Sequence, residues 1–293
     1  MQIILHAGAH CTDEDRLVKS LLRNHDGFLK HRIAAPGPSN YRQLLRETIN
    51  ALDEGRPDPD AREVLVEAFC NERPENIDRL LLSNDNFFAV PKIALSRGEL
   101  YPMAVKRLAY LQDLFPEDGV ELFLALRDPA SWLPALFDAA PQEDFASFLD
   151  GVDPESFRWS DFLLRLRAEV PELPITVWCN EDTPFIWGEI IRTMAGLDEE
   201  EKISGAFDLL SEIMAPEGMQ RFRAYLKEHP VMTEAQKRRV MTAFLDKYYL
   251  EEEMEEELDL PGWSEDLMER LTEGYEADVA RIAQMDGIRF IAP

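Results

Sequence analysis

Positive charge is scarce in this 293-residue chain, which sets 31 Lys and Arg against 57 Asp and Glu for a formal net charge of −26. That balance disfavours non-specific nucleic-acid binding and attachment to anionic membrane surfaces, since gripping phosphates depends on clustered Lys and Arg. Its ordinary consequence is solubility. Cysteine is scarce as well. Cys11, Cys70 and Cys179 lie far apart with no C-x-x-C pair, which argues against a disulfide framework and fits a reducing cytoplasm. No apolar run approaches the roughly 18 residues of a membrane span, and Met1 and Gln2 lead into the first strand signal without a basic leader. A cytoplasmic protein is expected, with neither membrane nor nucleic acid among its partners. No repeat of fixed period occurs. The one low-complexity tract, residues 251–257, sets six Glu around Met254; it reads as a solvated face, or alternatively as a docking surface for a basic partner.

What is present suffices for a folded domain: 45% of residues are hydrophobic and aromatics are frequent. Branched and apolar runs predict strands at residues 2–7, 79–83, 120–126, 175–179 and 288–291. Helical periodicity falls between them at 13–24, 41–54, 60–71, 101–114, 157–169, 184–195 and 217–227. This alternation predicts an α/β fold in three layers, a mostly parallel sheet flanked by helices. Residues 198–284 show no strand signal and are expected as a helical C-terminal region packed on a single domain spanning 1–293. Gly55 to Pro59 breaks two helices, Pro171 and Pro174 precede the fourth strand, and Pro261-Gly262 interrupts the last helical tract.

The chemistry gathers in the first two dozen residues. Ile3, Ile4 and Leu5 run into Ala7, Gly8 and Ala9, then His10-Cys11-Thr12-Asp13-Glu14-Asp15, then a helical pattern carried by Leu17, Val18, Leu21 and Leu22. This is the layout of a strand, a tight turn and a helix N-terminus, where backbone N–H groups and a Lys meet phosphate in a nucleotide-binding loop. Here three carboxylates stand where the phosphates would go. Thr12 is placed as an N-cap with Asp15 completing a shortened capping box, and Asp13 and Glu14 fall in the first turn, where the helix dipole favours negative charge.

The stretch LHAGAHCTDEDRLVKSLLRN resembles the opening of bacterial sulfotransferase-like proteins, which reads approximately H-I-G-A-H-K-T-G-T-T before a helix. His6, Gly8, Ala9, His10 and Thr12 match; Cys11 replaces the Lys, Asp13 the Gly, and Glu14 and Asp15 the two Thr. Similarity continues through Ala35-Pro36-Gly37-Pro38, Ser83-Asn84-Asp85, Leu124-Ala125-Leu126-Arg127-Asp128-Pro129 and a tail from Leu271 to Phe290. The resemblance implies a fold of the P-loop nucleotide-hydrolase type and the cofactor 3'-phosphoadenosine 5'-phosphosulfate. It implies vestigial cofactor contacts at Gly8, Ala9, His10, Thr12 and Arg127, with Asp85 in the place of a carboxylate that takes the acceptor's proton. The family's Ser eight residues beyond the Arg is Ala135 here.

Each feature carries a plainer reading beside it. His6, His10, Cys11 and the acids offer metal-ligand chemistry, but their spacing fits no zinc pattern, so no metal is expected. Cys11 gains acidity from a helix N-terminus and loses it to adjacent carboxylates. Arg127 either holds an anion in the crevice at the strand ends or pairs with Asp128 or the loop acids. The five Trp are expected in packing rather than base stacking, and Lys237-Arg238-Arg239 in pairing with the Glu-rich tract. These readings converge on a sulfotransferase-like protein impaired in binding its cofactor, serving as a degenerate transferase or a binding protein for a small molecule or protein. The alternatives are an active sulfotransferase acting on a carbohydrate or small-molecule hydroxyl, and a non-catalytic partner of a surface-polysaccharide enzyme.

Overall fold

The structure, a computed structural model, describes residues 1–70, 73–140, 144–250, 260 and 262–293. The Glu-rich tract and Pro261 lie outside them. The strands are β1 (Gln2–His6), β2 (Ile33–Ala34), β3 (Arg79–Ser83), β4 (Leu95–Ser96), β5 (Glu99–Leu100), β6 (Gly119–Leu126), β7 (Ile175–Cys179) and β8 (Ile288–Ile291). Six of them form one parallel sheet in the order β2-β3-β1-β6-β7-β8. The other two make a hairpin turning at Arg97 and Gly98, both at positive φ (54° and 75°), the backbone that a two-residue hairpin turn demands.

A strand buried on both faces must send alternate residues into different cores. On β1, Ile3 and Leu5 enter a core shared with Leu80, Leu122 and Val177, while Ile4 joins Leu81, Phe123 and Trp178 on the other face. The first face is covered by helices Pro38–Ala51, Ala104–Leu114 and Trp159–Glu169, the second by Arg16–Arg23 and Thr183–Ala195. Three layers result, as the alternation of strands and helices predicts.

The expected helical tract 198–284 holds two kinds of helix. Pro216–Glu228 and Glu234–Tyr248 pack with Asp208–Ile213 around a separate core of Leu210, Met214, Met219, Phe222, Met241 and Leu245. Glu265–Ile282 instead sends Leu271, Tyr275 and Ile282 into the main core. It is fastened there by Asp278, whose carboxylate accepts the Ser160 N–H at 3.0 Å and the Ser160 hydroxyl at the start of helix Trp159–Glu169. That fastening matters because the same helix reaches the strand ends through Thr272 and Tyr275.

The chain direction fixes where a site can form. The connection leaving β1 runs toward β2, and the one leaving β6 runs toward β7 on the opposite side, so a crevice opens between the carboxyl ends of β1 and β6. Asp278→Ala is expected to lower unfolding free energy by about 1–3 kcal/mol, the cost of orphaning a buried donor pair. Urea denaturation checks this, and a change within about 0.5 kcal/mol would contradict the fastening.

Candidate functional site

The loop after β1 continues its ladder with β6 before turning: Ala7 and Ala9 N–H donate to the carbonyls of Phe123 and Ala125, and Ala125 N–H returns to Gly8 O at 2.8 Å. Gly8 sits at φ 95°, and a Cβ there would lie 2.9 Å from His10 N and 3.5 Å from the Asp85 Cα. Only glycine suits that backbone and that approach. Asp85 is thereby placed beside the loop, its Oδ1 accepting from Asn86 Nδ2 at 2.9 Å.

The expected capping is corrected in its details. The helix spans Arg16–Arg23, not 13–24, because Cys11, Glu14 and Asp15 all take positive φ (57°, 47° and 61°) and hold the chain out of helix until Arg16. Thr12 is not the N-cap: its hydroxyl donates back to Ala9 O at 2.7 Å. Asp15 occupies the N-cap position without a side-chain cap bond, and its carboxylate pairs with Arg42 at 2.6 Å. The capping carboxylate is Asp13, whose Oδ2 accepts the Leu17 N–H at 3.0 Å. Glu14 points outward to Arg16, 3.4 Å away.

Beneath the loop lies a buried polar floor. His10 Nε2 donates to Ala89 O at 3.0 Å, which puts the proton on that nitrogen and leaves Nδ1 to accept from the Tyr101 hydroxyl at 2.7 Å. Burial holds the ring neutral, lowering its pKa below the ordinary histidine value. His6 is fully buried, with Nδ1 2.9 Å from Ser83 Oγ and Nε2 without a partner. Desolvation lowers its pKa too, against an opposite pull from Asp13 and Asp85. Trp132 Nε1 donates to His10 O at 2.9 Å from helix Pro129–Asp138. Burial first, and nearby carboxylates after it, push the Cys11 thiol up to about 11 despite Arg127, the opposite of the lowering that activates a thiol.

Arg127 immediately follows β6 and touches the loop, as a residue at the crevice should. Its Nη1 donates to Cys11 O at 2.6 Å and its Nε to Ser131 Oγ at 3.0 Å. Asp128 is occupied elsewhere, capping the following helix through Ala130 N–H and accepting the Thr272 hydroxyl at 2.6 Å. Glu181 then closes the outer side by accepting Asp128 N–H at 2.8 Å and the Tyr275 hydroxyl at 3.0 Å. Ala135, where the resembling family has its Ser, contributes only a carbonyl 3.5 Å from Cys11 Sγ.

The structure thus brings together Gly8, Ala9, His10, Thr12, Asp85 and Arg127 around one crevice. It adds residues that no local motif announced: Arg42, bridging Asp15 and Ser83 O at 2.8 Å, and Tyr101, Trp132 and Ser131. The only sequence signal for Arg42 was its place at the start of a helix after the Ala35-Pro36-Gly37-Pro38 tract. Among the described residues no cluster of His, Cys, Asp and Glu could hold a metal ion, and no helix is long and apolar enough to cross a membrane. No protein-family model matches the chain. No curated protein matches it. No solved structure matches it.

Two outcomes follow from this geometry. Gly8→Ala should cost about 1–3 kcal/mol through its positive φ alone, read from urea unfolding; an unchanged midpoint would contradict the placement of Gly8. The two histidines set a pH dependence, since each is held neutral in the fold and gains a proton in the unfolded chain as pH falls through about 6.5. Their contribution is complete above that pH and is lost below it, by up to about 1.4 kcal/mol per pH unit for each ring. His10→Gln should therefore flatten the fall in stability between pH 7.5 and 5, whereas an unchanged slope would mean that His10 is already protonated.

Proposed function

We propose that this chain is a sulfotransferase-like protein of the P-loop type whose phosphosulfate loop has become its own ligand, leaving a cytoplasmic binding protein rather than an efficient transferase. The strand order, the turn between β1 and β6, Arg127 against that turn and Asp85 against Gly8 all agree with the order of landmarks in the resembling sequences. The single observation that carries the loss of cofactor is the Asp13 carboxylate on the Leu17 N–H at 3.0 Å. An anion already sits on one of the helix N-terminal donors, where a phosphate would compete with it.

The remaining groups argue the same way. Arg42 is engaged by Asp15 and Arg127 by the Cys11 carbonyl, and the position of the family's Lys is held by a protonated thiol. One like-charge pair about 5 Å apart at an effective dielectric near 20 repels by about 3 kcal/mol, or about a hundredfold in affinity. The residues present therefore do not fit 3'-phosphoadenosine 5'-phosphosulfate. Retained sulfate transfer to a carbohydrate or small-molecule hydroxyl would rest on Asp85 as the base; a partnership with a surface-polysaccharide enzyme would need no base at all.

Titration calorimetry with 3'-phosphoadenosine 5'-phosphate separates these readings. The native chain is expected to show no saturable binding below about 1 mM. Combining Cys11→Lys, Asp13→Gly, Glu14→Thr and Asp15→Thr returns one cation and removes three carboxylates, and should gain at least about 3 kcal/mol. Freeing Arg42 from Asp15 adds a second cation to the restored loop. Micromolar binding by the native chain would overturn the proposal in favour of an active transferase.

A further inference from the structure

The hairpin of helices Pro216–Glu228 and Glu234–Tyr248 inverts the charge of the chain. Residues 216–248 carry seven Lys and Arg against four Asp and Glu, in a sequence whose net charge is −26. Part of this basic content is internal: Lys237 pairs with Glu234 at 2.7 Å, and Arg238 pairs with Glu189 on helix Thr183–Ala195. Among the described residues Lys227 and Arg239 form no ion pair, and both are exposed. The expected pairing of the basic triplet with the Glu-rich tract concerns residues outside those described.

Aromatic rings lie among these cations. The Arg221 guanidinium sits 5.7 Å and the Lys247 ammonium 5.4 Å from the Tyr248 ring centre, and Tyr225 stacks on His229 at 4.1 Å. Where the two helices turn, Tyr225, His229, Val231, Met232, Arg239 and Val240 line a groove of about 370 Å³, with no carboxylate among its lining residues. Val231 is 93% exposed, more than any other large apolar side chain among the described residues. An apolar floor, an uncommitted guanidinium and stacked aromatics are the ingredients of an interface anchor.

The geometry points to a docking site for an acidic protein segment, one apolar side chain of which enters the groove while flanking carboxylates meet Arg239. Charge complementarity selects this occupant: the groove offers a cation without an acid, and its exposed Val231 and half-buried Met232 suit a side chain rather than a phosphate. The repulsion of the whole acidic molecule does not cancel this, because fields are screened beyond about 8 Å at physiological ionic strength. A nucleic-acid strand would need a longer cationic track than this groove supplies.

Fluorescence anisotropy with a labelled peptide of Glu residues around a central Leu tests the site on the full-length chain. Saturable binding is expected, weakened at least about tenfold by Arg239→Glu or by Tyr225→Ala. Arg223→Glu, in a separate groove with Pro216 and Gln220, should leave it unchanged. Circular dichroism melts confirm that each variant is folded, and the exposed Arg239 provides the test that packing does not confound. Absence of saturable binding overturns the inference. So does equal weakening by Arg223→Glu, or binding of a single-stranded oligonucleotide as tight as that of the peptide.

Discussion

A helix N-terminus presents donors and a partial positive charge that one anion can satisfy at a time. In this protein the anion is the carboxylate of Asp13, bound to the Leu17 N–H from four residues before it. The backbone of the loop places that carboxylate there. Positive φ at Cys11, Glu14 and Asp15 delays the helix until Arg16, and the Asp13 carboxylate comes back over its second amide, that of Leu17.

The support for this turn comes from below and from both sides. Tyr101 and Ala89 fix the His10 ring from one face of the sheet, and Trp132 holds the His10 carbonyl from the helix after β6. Arg127 holds the next carbonyl along, that of Cys11. These bonds are buried or partly buried, where a missing partner is costly, and they tie the turn at His10 and Cys11 to the core. The C-terminal helix adds a second tier, joining Asp128 through Thr272 and Glu181 through Tyr275.

Much of the frame could be read from the residues themselves. Strands β3, β7 and β8 coincide with the predicted spans, and β6 begins one residue earlier, because runs such as Leu80-Leu81-Leu82 feed two cores and leave no polar alternation to confuse them. Strand β2 was not legible: two residues are too few to carry a period. Helix Pro129–Asp138 carries a start signal in Asp128-Pro129, but Pro134 lies inside it and breaks the helical pattern. At the site, Gly8, Asp85 and Arg127 were locatable, whereas Thr12 and Asp15 exchanged their expected duties with Asp13 because nothing in Cys-Thr-Asp-Glu-Asp marks three left-handed residues. Arg42 and Tyr101 reach the crevice by tertiary packing, which no local spacing encodes.

Backbone amide NMR shifts during a titration with inorganic phosphate test the occupation of the loop most directly, because phosphate asks only whether the helix donors are available. The native chain should show no saturable movement of the Leu17 amide, and Asp13→Ala should show it. Saturable movement of Leu17 in the native chain would contradict the account, since a ligand anion and the Asp13 carboxylate cannot share one donor.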